Sequence, residues 1–399
     1  MTDNASDFAN PLMETYSRFP VTLVKGKGSY VWDDQGNKYL DFTSGIATCN
    51  LGHVPEIVKE KVEEQLQNLW HCSNLYHIPN QKELASLLTA NSCGDRVFFC
   101  NSGAEANEAA IKLARRYAQK IKGTDAYEVI TFEKSFHGRT LATLSATGQE
   151  KIHQGFLPLV QGFQYLPYND LATLEQLYNL EPAAVLLEMV QGEGGVIPAD
   201  PEWVQKLAQI CKEKDILLMV DEIQTGIGRT GTLFAYEQYG IEPDVISIAK
   251  GLGSGFPIGA IIAKEKAAQG FEPGSHGSTF GGNPLATAAG VATVSHLTTS
   301  NILDQAAQIA DYFDTQLVNL KNKFSLIKEI RGIGLLKGLV VEGNALKIVK
   351  KALAHQLLIL TAGPDVVRIL PALTSSIEEV NECITTLEKV FLEIREKGE

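Results

Sequence analysis

The chain has 399 residues, 44% of them hydrophobic, and carries 35 basic against 47 acidic residues for a formal charge of −12. That length exceeds what one hydrophobic core usually fills, so two domains, or one large domain with an appendage, are expected, and an acidic balance with no lysine and arginine block argues against a nucleic-acid partner. No stretch approaches the ~20 apolar residues of a membrane helix, and the start from Met1 to Asp7 lacks a basic region followed by an apolar one, so a soluble cytoplasmic protein is expected.

In chain order, the stretch from Val21 to Phe42 alternates short β-prone runs with Gly26-Lys-Gly28 and Asp33-Asp-Gln-Gly-Asn37, which predicts a small antiparallel meander. Helical periodicity follows from Pro55 to about Leu69. Between Arg96 and about Gly290, apolar runs (97–100, 129–132, 184–187, 216–220, 245–248 and 258–263) alternate with helical stretches and Gly-rich joints. That alternation predicts a mainly parallel sheet covered by helices on both faces. Beyond Asn283-Pro284 come an Ala-rich helical stretch, a heptad-like one from Ile302 to Phe324, a strand-loop-helix set, and an amphipathic tail from Ile377 to about Lys397. These predict a separate C-terminal α+β domain.

Four segments at predicted strand ends carry side chains suited to chemistry. Val97 to Asn107 runs from a strand through a small-residue turn into a helix, whose free amides, approachable past Ser102, Gly103 and Ala104, form a ready phosphate site. An ordinary capped turn is the plainer alternative. Phe136-His137-Gly138-Arg139 offers an aromatic to stack on a flat ring and a guanidinium to grip a carboxylate. Asp221 closes the run from Ile216, and Lys250 closes the run from Asp244 and is followed by Gly251-Leu-Gly-Ser-Gly255. An acid and an amine at strand ends of one sheet suit pyridoxal phosphate, which needs an amine for a Schiff base and an anion beside its ring nitrogen. Gly226-x-Gly228-x-x-Gly231, with Asp244 beyond it, literally matches a dinucleotide fingerprint and favours a nicotinamide oxidoreductase instead. Against it, five residues separate those glycines from the strand, and Thr230-Gly-Thr-Leu-Phe reads as extended, not as a helix start. The six cysteines are scattered and the eight histidines include no H-E-x-x-H, so no metal is expected.

Asn101-Ser-Gly-Ala-Glu-Ala-Asn107, Phe136-His-Gly-Arg139, Gln191-Gly-Glu-Gly-Gly195, Asp221-Glu-Ile-Gln-Thr-Gly226, Ala249-Lys250 and Gly274-Ser-His-Gly-Ser-Thr279 resemble the class III (ornithine-type) aminotransferases of the fold type I pyridoxal-phosphate enzymes. The likeness runs from Gly26-Lys-Gly-Ser to Ala362-Gly-Pro-Asp-Val-Val-Arg368. It implies an α/β fold with a large cofactor-binding domain (51–285), a small α+β domain (286–399) and an N-terminal segment (1–50) packing with the latter. It implies that Lys250 bonds pyridoxal 5′-phosphate and moves the proton, that Ser102, Gly103 and Ala104 bind the phosphate, and that Phe136, His137 and Ile223 cover the ring. Asp221 would pair with the ring nitrogen and Gln224 would lie near the phenolic oxygen. Thr279 would reach the phosphate in a neighbouring subunit, with Ser278 near that subunit's substrate, so a homodimer is expected. Arg139 with Tyr16 would hold the α-carboxylate of an acylated ornithine such as N2-acetyl-L-ornithine. Arg368 would take 2-oxoglutarate, and Glu193 would mask Arg368 while the first substrate is bound. Free ornithine, succinylornithine, N-succinyl-diaminopimelate and 4-aminobutyrate remain alternative donors within the class. Ser254 departs from the family's usual glycine after the lysine, and the stretch from Val340 to Leu346 looks short.

Overall fold

The computed structural model describes residues 11–396. Seven strands form its main sheet, in the order Arg96–Cys100, Gly259–Ala263, Val245–Ile248, Leu217–Asp221, Ala184–Glu188, Val129–Phe132 and Phe163–Leu166. Neighbours are parallel except at Gly259–Ala263, which runs antiparallel to both of its partners. Five of the strands are buried along their whole length, because both faces are covered, and this is why they are unbroken apolar runs and do not alternate. Successive side chains go to opposite faces. Leu218, Val220, Val185 and Leu187 enter one core with Trp203, Leu207 and Leu84, whereas Leu217, Met219, Ala184 and Leu186 enter another with Ala110 and Leu113 of the helix Gly103–Arg116.

The edge strand Phe163–Leu166 has no counterpart among the runs picked out from sequence. Only its last residue is buried, so its apolar signal is too thin to stand out. The segment holding Gly226, Gly228 and Gly231 forms turns and bends and opens no helix, and Thr230 to Phe234 has no strand where an extended run was expected.

A second core gathers Phe313, Leu339, Val367, Leu387 and Phe391. It is built from an antiparallel sheet, Ile327–Ile333, Leu336–Val341, Val366–Ile369 and Leu360–Thr361, with the helices Ala345–Ala354 and Ile377–Glu396. The N-terminal meander, Leu23–Lys27, Tyr30–Asp33 and Lys38–Asp41, pairs its last strand in parallel with Leu357–Leu358 and sends Leu40 and Phe42 into this core. The small-residue helix Pro284–Thr299 packs on Glu56–Leu66 and Pro79–Ala90 in the first core. Helix Ile302–Lys323 bridges the two: Ile302, Ala306 and Ala310 belong to the first core, Phe313, Leu317 and Leu320 to the second.

Trp203 is the largest fully buried side chain and meets Phe132 and Tyr168 edge-on, at centroid distances of 4.9 and 5.0 Å. Trp203→Ala is expected to lower stability by about 3–5 kcal/mol. In urea this appears as a lower midpoint at unchanged slope; an unshifted midpoint would contradict the packing described.

Candidate active site

A cavity of about 450 Å³ opens beyond the C-terminal ends of the parallel strands. Parallel strands deliver their ends to the same edge of the sheet, which is where open α/β sheets bind ligands. Four segments far apart in the chain, 101–104, 136–139, Asp221 with 223–225, and 249–250, therefore line one space, together with Thr48, Glu188, Val190 and residues 255–258.

At its base Asp221 ends the strand Leu217–Asp221 and is 4% exposed. A buried carboxylate needs donors, and three surround it. Asn107 Nδ2 lies 2.7 Å and His137 Nδ1 2.8 Å from Oδ2, and the Ile223 amide donates to Oδ1 at 3.0 Å. Asn107 also donates to the His137 carbonyl at 2.8 Å, tying the helix Gly103–Arg116 to the loop after the strand Val129–Phe132. Glu188 stands opposite Asp221 in the sheet and accepts from the Phe136 amide at 2.9 Å. Burial pushes its pKa well above the carboxylate range, and the Asp221 charge adds to the rise.

Ser102 caps the helix Gly103–Arg116, its side chain accepting from Glu105 N at 3.2 Å, while Glu105 Oε2 accepts from Asn101 N at 2.6 Å. The first amides of a helix have no intrahelical acceptor, and here that end forms part of the cavity wall. Gly103 admits no side chain: a Cβ there would lie 2.8 Å from Ile223 Cγ2. The helix start and Ile223 thus close on each other as a cradle, with the Asp221 carboxylate and the Lys250 amine lining the same cavity. This donor set fits a phosphorylated, planar pyridine aldehyde.

Lys250 follows Val245–Ile248 in a backbone conformation with φ of 42°, in the left-handed region that non-glycine residues avoid. Such strain is worth roughly 1–3 kcal/mol and is characteristic of functional positions. Burial holds the Lys250 ammonium below its usual range; the Glu193 carboxylate opposes that shift and the Arg368 guanidinium adds to it. Arg368, on the strand Val366–Ile369 of the second core, is 2% exposed. Its Nη1 lies 2.5 Å from Glu193 Oε1 and 3.1 Å from both Gln224 Oε1 and the Gly192 carbonyl. Burial raises the Glu193 pKa, but the charge and hydrogen bond of Arg368 outweigh it and hold the acid below the ordinary range.

Of the residues singled out from sequence, Ser102, Gly103, Ala104, Phe136, His137, Arg139, Asp221, Ile223, Gln224 and Lys250 line the one cavity, and Glu193 and Arg368 join it through Gln224. The Arg139 guanidinium sits over the Phe136 ring, 5.4 Å from its centroid. Three lie elsewhere. Tyr16 is 74% exposed in the N-terminal segment, and Ser278 and Thr279 line a neighbouring hollow with His276 and Phe280. That hollow shares Asn101 with the cavity, through its Nδ2 bond of 3.1 Å to Ser278 Oγ. Ser254 Oγ accepts from the Leu51 amide at 3.0 Å, so that amide has an acceptor that glycine could not supply. Asn107 and Glu188 were not assigned a role from sequence. The available signal was a polar residue on the buried face of a helix and an acid at the end of an apolar strand. Among the described residues no group of His, Cys, Asp or Glu is arranged to hold a metal ion, and no helix is long and apolar enough to cross a membrane.

The model of the aminotransferase class-III family matches residues 12–391. The chain is 58% identical over 386 residues to the acetylornithine aminotransferase of Oceanobacillus iheyensis, covering 97% of each. It is 51% identical to that of Caldanaerobacter subterraneus subsp. tengcongensis, covering 96% of this chain and 98% of the relative. Among solved structures, the N-acetylornithine aminotransferase of Stenotrophomonas maltophilia superposes with a TM-score of 0.84 at 37% identity, over 96% of this chain and 98% of that one. The ornithine aminotransferase of Toxoplasma gondii ME49 does so at 0.93 and 33%, over 97% and 94%.

The depressed pKa of Glu193 has a signed consequence. Its pair with Arg368 stabilises the fold above the unfolded carboxylate value of 4.5 and is lost as pH falls through the lower folded value. The difference in melting temperature between the wild type and Glu193→Gln is therefore expected to be flat from about pH 6 to 8 and to shrink below about pH 4.5. A difference that grows on acidification would contradict the ion pair.

Proposed function

Because this chain belongs to the class III aminotransferase family, we propose that it transfers the δ-amino group of N2-acetyl-L-ornithine to 2-oxoglutarate with pyridoxal 5′-phosphate as cofactor. The products are N-acetylglutamate 5-semialdehyde and glutamate, a cytoplasmic step of arginine biosynthesis. When bound, the cofactor supplies an aldehyde for the lysine amine and an electron-poor ring that draws charge from the carbon bearing the migrating nitrogen. Lys250, with its depressed proton affinity, takes the proton from that carbon and returns it on the other side of the transfer. Asp221 keeps the ring nitrogen protonated, held in place by Asn107 and His137. Ser102, Gly103 and Ala104 bind the phosphate, Phe136 and Ile223 enclose the ring, and Gln224 fixes its phenolic side. Arg139 and Tyr16 take the donor's α-carboxylate and Arg368 that of 2-oxoglutarate. Ser278 and Thr279 serve the partner's site in a homodimer.

The observation that carries this reading is the Glu193 to Arg368 contact of 2.5 Å beside Gln224. Acetylornithine brings no carboxylate near its reacting carbon, whereas 2-oxoglutarate brings one directly adjacent to it. A bare guanidinium would attract the donor's remote carboxylate and seat it the wrong way round; a partly exposed acid covers the guanidinium and can swing aside. The names of the relatives at 58% and 51% identity support the acetylated donor. Free ornithine is the second reading, favoured by the structural likeness to the Toxoplasma enzyme.

The test is the rate of glutamate formation from 2-oxoglutarate with acetylornithine, ornithine and N-succinyl-diaminopimelate side by side. Acetylornithine is expected to be fastest; a faster ornithine reaction would replace the donor. Lys250→Ala is expected to abolish turnover with an unchanged far-ultraviolet circular dichroism spectrum. A folded and active variant would remove Lys250 from the reaction.

A further inference from the structure

Arg229 is wholly buried, and among the described residues no carboxylate stands on it. Its Nη1 donates to the Leu335 carbonyl at 3.1 Å and to the Pro371 carbonyl, its Nη2 donates to Asn50 Oδ1 at 2.7 Å, and its Nε has no partner. Burial pushes its pKa down to about 10, with Cys49 pulling the other way, so it is charged at neutral pH. A buried cation held only by neutral dipoles is stable only while those dipoles stay in place. Its loss would leave three buried acceptors unsatisfied.

The acceptors come from separate parts of the chain. Leu335 lies in the turn between Ile327–Ile333 and Leu336–Val341, and Pro371 lies just past Val366–Ile369, the strand that carries Arg368. Asn50 leads to the other side of the site. Its Nδ2 donates to the Ile227 carbonyl at 2.7 Å, its carbonyl accepts from Leu373 N at 2.8 Å, and its amide presses on Gly251, where a Cβ would lie 2.2 Å from Nδ2. The next residue, Leu51, donates to Ser254 at the far end of the turn Lys250–Gly253. One guanidinium thus joins the exit of the Arg368 strand, through a single asparagine, to the turn that begins at Lys250.

We propose that Arg229, acting through Asn50, is a positioning residue that sets where Arg368 stands relative to Lys250, and thereby the fit of the acceptor's carboxylate, without touching either substrate. This rests on the aminotransferase reading above. Arg139 lies in the loop after the strand Val129–Phe132, outside this cluster, so the two half-reactions should respond differently.

The experiment compares holoenzymes of wild type, Arg229→Gln and Arg229→Lys, with cofactor content and melting temperature measured for each. The half-reactions are followed separately by the cofactor's visible absorbance. Arg229→Gln is expected to raise KM for 2-oxoglutarate about tenfold while KM for the amino donor stays within about twofold. Arg229→Lys should fall between, because one ammonium reaches fewer of the three acceptors. Equal losses in both half-reactions, or an unchanged acceptor KM in loaded enzyme, would overturn the proposal. Should Arg229→Gln not fold, Asn50→Ala cuts the link to Gly251 and is expected to give the same split; its absence there is equally decisive. A wild type inert toward acetylornithine would instead overturn the donor assignment, and the split would then be measured with whichever amine is accepted.

Discussion

A carboxylate at the end of a fully buried strand must be surrounded by donors, and the site is organised around the way Asp221 meets that requirement. Asn107 comes from the helix after one strand, His137 from the loop after another, and the Ile223 amide from the chain just beyond Asp221 itself. Each donor belongs to a segment that also lines the cavity, so satisfying one anion brings the helix start, the aromatic loop and the turn after the strand into a single arrangement. Weakening any one donor would leave charge in a low-dielectric interior, where removing a partner is far more damaging than the bond's net worth. The carboxylate is therefore a structural anchor that also lines the cavity.

Charge near Lys250 is balanced at longer range. Glu193 raises the lysine's proton affinity and Arg368 lowers it, and these two are bonded to each other. Any movement of Glu193 away from Arg368 alters the field at the amine as well as the access to the guanidinium. The position of the Glu193 carboxylate and the proton affinity of Lys250 are linked through these two charges.

Much of this was legible in the sequence because parallel strands buried on both faces are written as unbroken apolar runs, and the residues directly after them must converge. Asp221 and Lys250 close such runs, and Ser102, Phe136 and Arg139 follow them within a few positions. The family resemblance added Glu193 and Arg368, which lie 175 residues apart and share no local pattern. What stayed hidden was hidden for physical reasons. The strand Phe163–Leu166 is an edge strand with three of four residues at least partly exposed, so it lacks the apolar run that marks its neighbours. Asn107 sits among alanines in an amphipathic helix, where a polar residue on the buried face is visible only once the helix is placed against Asp221. Arg229 lies within a glycine-rich segment whose spacing imitates a different motif, and its partners at 50, 335 and 371 come together only in the folded chain.

The helix Ile302–Lys323 gives the molecule a mechanical property. At 22 residues it is a rod of about 33 Å, with one end embedded in each core. Sliding one body past the other would drag Ala310 or Phe313 out of its socket, so the shared helix holds the two cores in register. Arg368 belongs to one body and Lys250 to the other, so the seating of this rod helps to set the distance between guanidinium and amine.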